Sequence, residues 1–114
     1  MMAKSALIDL DHLEKYVAGD RNLRDEILSI FEEQAEMWAR VLDPKSEDTA
    51  WKDAAHALKG ASRGVGAWEV GDICERAEKL VGEKGEEEDR KAALLHLRDT
   101  VKNTVAEVRR LKTL

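Results

Sequence analysis

The sequence predicts an all-α fold: an up-down-up-down four-helix bundle with a short additional N-terminal helix. The composition points there first. Among 114 residues, 43% are apolar and 38% charged, with one proline and seven glycines. Ala, Leu, Glu, Lys and Arg dominate, and these are strong helix formers. Second, apolar residues recur at steps of three and four in long stretches, the spacing of one helix face, and no convincing strand alternation appears. Third, the breakers fall between these stretches, so short connections join long amphipathic helices, which favours a bundle.

The first helix is short, residues 9–18, and Gly19 ends it as a C-cap glycine. Asp20 then caps a long second helix that reaches residue 42. Its stripe is Leu23, Ile27, Ile30, Gln34, Met37 and Val41, with Gln34 the single polar member. Pro44 marks the break that follows. The third helix spans residues 49–63 and closes at Gly64-Val65-Gly66. The fourth spans 67–81 with Val70, Ile73/Cys74, Ala77 and Val81 inward. Residues 82–89 are polar and mostly acidic, a loop with a fraying helix start. The fifth helix covers 87–112, with Leu94, Leu97, Val101, Thr104/Val105, Val108 and Leu111 on one side. Residues 1–114 are expected to form one domain.

Charge and cysteine usage exclude several classes. A formal net charge of −5 disfavours general nucleic-acid or anionic-membrane binding. One cysteine allows no intrachain disulfide, and no apolar run reaches the ~18 residues of a membrane span. Residues 1–10 lack the charged-then-apolar order of a signal peptide. The expectation is a soluble, cytoplasmic, monomeric domain with no cofactor and no metal. The chain is too short for a nucleotide-binding kinase domain plus a separate acceptor domain.

The third helix carries the chemistry. Its inward residues are Trp51, Ala54, Ala55, Leu58, Ala61 and Val65. His56, two positions from Leu58, is about 200° around the axis and points outward. Lys52, Lys59 and Arg63 flank it, so residues 52, 56, 59 and 63 form a basic stripe centred on one imidazole. Gly60, four residues after His56, costs roughly 1 kcal/mol relative to alanine inside a helix. Its missing side chain clears the face beside His56 for another backbone to approach.

The run His56-Ala57-Leu58-Lys59-Gly60-Ala61-Ser62, followed by Gly66-Ala67, Cys74 and Glu78, resembles the histidine phosphotransfer (HPt) domain family. The resemblance is close over the third and fourth helices. Val70, where the family usually has Leu, and Ala61, where it often has Ser, are small packing departures. The resemblance implies a helical bundle in two-component signalling. Its histidine, here His56, would take a phosphoryl group from a receiver-domain aspartate and pass it to another receiver in a multistep phosphorelay. It implies a phosphoryl carrier without kinase activity of its own. Its partners would be receiver domains of response regulators or hybrid histidine kinases, which bring the Mg²⁺, an acidic pocket and a lysine.

Elementary chemistry agrees with this. Imidazole attacks through its unprotonated nitrogen, and a reference pKa of about 6.5 leaves free imidazole mostly neutral at cell pH. Lys59, one turn away, offers a point charge to phosphoryl oxygens. In a loose transfer state, positioning and charge supply most of the catalysis. The second ring nitrogen needs a partner, and two are available: Gln34, on the second helix, and Glu78, at the edge of the fourth helix's stripe. A carboxylate would raise ring basicity and also repel the phosphoryl group. Gln34 could accept the ring N–H or donate to phosphoryl oxygens.

Lys52 and Arg63 are expected to guide docking, and Trp68, opening the fourth helix, is either a cap residue or part of an apolar docking patch. His12 and His96 read as surface residues and Cys74 as core. A sensor-kinase dimerisation domain fits poorly, because Ala57 rather than an acidic residue follows the histidine and no proline lies in the helix. A metal-binding bundle would need inward Glu-x-x-His pairs, and none is so placed.

Overall fold

Two aspartates open the first two helices of the computed structural model, which describes residues 7–114. The Asp9 carboxylate accepts the His12 backbone N–H at 3.1 Å and caps α1 (Leu10–Val17). Asp20 accepts from the Leu23 N–H at 3.0 Å and caps α2 (Arg21–Val41). Each satisfies an otherwise orphaned donor of a first turn. The turn between them uses two left-handed residues in succession. Ala18, at φ 48°, is itself the C-cap of α1, and Gly19 follows at φ 81°.

Three helices complete the chain: α3 (Asp48–Gly64), α4 (Trp68–Glu78) and α5 (Glu87–Lys112). A single 3-10 turn, Gly82–Lys84, lies between the last two. Helix α4 stops at Glu78, three residues before the expected end at 81. Its last turn tightens, with Lys79 N–H on the Arg76 carbonyl at 3.3 Å and Leu80 N–H on that of Ala77 at 3.0 Å. Val81 is then extended, at φ −136° and ψ 163°.

No strand occurs among the described residues. Helix α3 packs most extensively on α4, α2 lies against both α3 and α5, α4 closes onto α5, and α1 rests on α2. The result is the four-helix bundle with a short extra N-terminal helix, 46 × 28 × 20 Å overall. Every inward residue expected of α5 is buried, as are Trp51, Ala54, Ala55, Leu58 and Val65 around α3.

Helix α2 corrects the sequence reading. Its core row is Leu28, Phe31, Ala35 and Ala39, not the expected stripe. Leu23, Ile30, Met37 and Val41 are 38, 50, 36 and 56% exposed, and only Ile27 of that stripe packs on the core. The two rows share the same steps of three and four and lie one residue, about 100°, apart on the helix. Periodicity alone cannot choose between them. Packing can, because Ala35 and Ala39 let α2 approach its neighbours closely.

Arg90 pins the end of the bundle opposite that tight α1–α2 turn. It is 3% exposed and donates to the carbonyls of Leu80, Ser46 and Pro44 and to Asp48 Oδ1, the last at 2.7 Å. Its guanidinium lies 5.0 Å from the Trp51 ring centroid. The Trp51 indole N–H in turn donates to the Ala77 carbonyl at 2.7 Å, near the end of α4. A buried guanidinium needs its donors satisfied, and here the two long loops satisfy them.

Candidate functional site

The outward angle of residue 56 on α3 is realised: the His56 side chain is 69% exposed. Beside it, α4 ends in Glu78, whose side chain is 11% exposed and so largely shielded by its neighbours. His56 Nδ1 lies 3.2 Å from Glu78 Oε2. Lys59, one turn along α3, pairs with the other carboxylate oxygen, Oε1. One carboxylate thus bridges the imidazole and the ammonium. Burial pushes the Glu78 carboxyl up, but hydrogen bonds and charge from Lys59 and His56 outweigh it and hold the group below its ordinary value. An ionised carboxylate only accepts, so Nδ1 is the ring nitrogen that donates to it, and Nε2 has no partner among the described residues.

The basic stripe is less free than its spacing suggests. Arg63 reaches across to α4 and pairs with Asp72 at 3.3 Å and Glu75 at 3.2 Å. It lies over Gly71, where an added Cβ would sit 2.9 Å from Arg63 Cγ. Lys59 and Arg63 are therefore both committed to α4 carboxylates, whereas Lys52 is exposed and has no acidic partner among the described residues. Sequence reasoning missed Asp72, Glu75 and Gly71. The signal was present: Asp72, Glu75 and Glu78 recur every third residue on α4, opposite basic residues on α3.

Gly60 is open, and a Cβ placed there meets nothing within 4 Å. Gln34 is exposed on α2 and makes no hydrogen bond among the described residues, so it is not brought onto the imidazole. Trp68 is 38% exposed, and its indole N–H donates to Asp9 Oδ2 at 2.9 Å. Its ring meets His12 edge-on at 4.8 Å, which ties α1 to the start of α4. Cys74 is fully buried, and burial, with Glu78 nearby, pushes its thiol up to about 12, which leaves it unreactive.

A shielded carboxylate fixes one nitrogen of a surface imidazole, and a lysine balances that carboxylate. The free nitrogen faces a surface cleared by a glycine. This arrangement supports nucleophilic attack by Nε2 on an electrophile carried by another molecule. The family model of the Hpt domain matches residues 22–110. Among solved structures, the chain is similar to histidine phosphotransferase ShpA from Caulobacter crescentus. That likeness is 40% identity over 90% of this chain and 95% of that one, at a TM-score of 0.58. No curated protein matches the chain. The α1 helix lies outside the residues matched by the family model.

Proposed function

The chain belongs to the Hpt domain family, and from that premise we propose that His56 accepts a phosphoryl group from a receiver-domain aspartate and passes it to a second receiver. The observation that carries this reading is the bridge from Glu78 to His56 Nδ1 and Lys59. It leaves Nε2 as the nucleophile. The Nε2 lone pair forms the N–P bond as the bond from phosphorus to the aspartyl oxygen breaks. The aspartate departs as a carboxylate, and the Nδ1 proton stays in place. The product ring then carries positive charge shared between its nitrogens, and the Glu78 carboxylate beside Nδ1 offsets it.

The same carboxylate would repel the incoming phosphoryl oxygens if it stood alone. Lys59 neutralises it, and it is near enough to turn its ammonium toward the phosphoryl group once that group arrives. Gly60 keeps the approach open. The receiver supplies the acyl phosphate and its Mg²⁺, so this chain acts as a carrier and not as a kinase. Lys52 adds a free cation for encounter with an acidic receiver pocket. The exposed α2 row of Leu23, Ile30, Met37 and Val41, together with Trp68, offers apolar area for docking. Gln34, within that row, is a polar contact for the docked partner or the phosphoryl group.

The test is to incubate the protein with phosphorylated receiver domains and follow the label. Transfer should yield an acid-labile, base-stable phosphoprotein, and the His56→Gln variant should yield none. Label that resists acid, or persists in the variant, refutes the assignment.

A further inference from the structure

A groove of about 620 Å³ runs between α2 and α5, and no residue of α3 or α4 lines it. Its floor is apolar, with Ala39, Val101 and Val105. Its rim is mainly cationic, with Arg40, Arg98, Lys102 and Arg109 beside a single carboxylate, Glu36. Of these four, Arg109 is matched by carboxylates, through Glu32 at 2.9 Å and Glu36 at 3.6 Å. The other three are not. Arg98 donates to the carbonyls of Ala39 at 3.0 Å and Leu42 at 3.4 Å. Arg40 and Lys102 are exposed, with no carboxylate partner among the described residues. Three uncompensated positive charges thus frame an apolar trough in a chain of net charge −5.

We propose that this groove docks an acidic amphipathic helix of a partner protein, independently of the phosphotransfer assigned to His56. The shape fits a helix. From Arg98 to Arg109 the α5 wall rises about 16 Å, or three turns. Val101 and Val105, four residues apart and each 4% exposed, form the floor, and Ala106 lies exposed beside them, which leaves room for small i, i+4 side chains of a docked helix. The charge selects the occupant, because glutamates flanking an apolar stripe would meet Arg40, Arg98 and Lys102. A second copy of this chain fits poorly. Face to face, the two cationic rims would repel. Head to tail, with the acidic start of α5 (Glu87, Glu88, Asp89) in the groove, the contact would build rings or filaments rather than a two-fold dimer, and a size measurement would reveal them. The groove lies on the flank of α2 that faces α5, so its occupant would leave His56 accessible and tether the carrier while a receiver exchanges phosphate with it.

The experiment uses the intact protein and a fluorescein-labelled helical peptide of about four turns, with leucines on one face and glutamates beside them. A peptide with lysines in place of the glutamates is the control. The acidic peptide should bind, more weakly as salt rises, and should shift the amide resonances of residues 36–40 and 98–109 and not those around His56. The double variant R40E/K102E, both sites exposed and therefore tolerant, should weaken binding at least about tenfold. Lys52→Glu on α3 should leave it unchanged. The proposal is overturned by equal binding of the lysine peptide, by shifts elsewhere, or by an unaffected double variant. It is also overturned by no binding at millimolar peptide, or by sodium laurate filling the groove when the peptide does not.

Discussion

Arg90 and His56 anchor two charge networks that both include α3, and they differ mainly in solvent. Each runs through a carboxylate: Asp48 joins α3 to Arg90 on α5, and Glu78 joins α4 to His56 and Lys59 on α3. Arg90 is 3% exposed and spends its donors on two loops and a helix start, so nothing is left to offer a partner. His56 is 69% exposed and commits only one of its two ring nitrogens. One network closes on itself and holds the fold. The other leaves one ring nitrogen uncommitted, and the proposed phosphotransfer rests on that opening.

The sharpest way to break this contrast is at His56 itself. His56→Gln should abolish phosphoryl labelling, while helical circular dichroism and melting temperature stay near wild type. Loss of structure in that variant would place His56 with Arg90 as a fold residue. Next comes Arg90→Met, which strands three loop carbonyls and the Asp48 partner. Urea titration should show it destabilised by about 3 kcal/mol, with the fraction that remains folded still accepting label.

Gly60→Gln should separate fold from function in the opposite sense. Helix propensity should raise stability by up to roughly 1 kcal/mol, while single-turnover transfer from a receiver slows because the cleared face is filled. Unchanged transfer would mean that the opening has no bearing on partner approach.

Lys59→Ala should slow transfer or shorten the life of the phosphorylated form, with a smaller effect on stability. Its pH signature is more specific. The Glu78 carboxyl is held low in the folded state, so the stability it contributes is present above its ordinary value and is lost as pH falls through the lowered folded value. Without Lys59 the folded value should rise toward the ordinary one, and acid unfolding should show less dependence on this group. The smallest effect is expected at Lys52, where alanine should alter only receiver binding, and only at low salt. Arg63→Ala should instead cost some stability, because its partners lie on α4 of the same molecule.

The helices and the outward direction of His56 were legible in the sequence because local spacing determines them. The steps of three and four set α5 and α3, and the two-residue offset of His56 from Leu58 set its outward direction. The row of α2 that enters the core was not legible, because two adjacent rows carry equal periodicity and only three-dimensional fit separates them. Glu78 and Gln34 were level as neighbours of the imidazole. The close packing of α3 on α4 brings Glu78 to it and leaves Gln34 exposed on another helix. The commitment of Arg63 to Asp72 and Glu75 was signalled only by the three-residue spacing of acids on α4, since which ion pairs form across helices depends on the facing register. Nothing in the local spacing singles out Arg90, because its burial depends on loops that sequence periodicity does not describe.

Two of the three tryptophans sit in very different surroundings, and this gives the molecule a built-in optical record of its own opening, with Trp38, partly buried against the core, as a constant background until the bundle melts. Trp51 is 1% exposed beneath a guanidinium, so its emission should be blue-shifted and should change only when the bundle itself comes apart. Trp68 is 38% exposed, and its indole N–H is held by Asp9, at the head of the helix that the family match does not include. That hydrogen bond, with the His12 backbone N–H, keeps the Asp9 carboxyl below its ordinary value. As acid protonates Asp9 the bond to the indole weakens, and the Trp68 band should move while the Trp51 band stays fixed. Two colours from one chain would then time the release of α1 separately from the melting of the four helices beneath it.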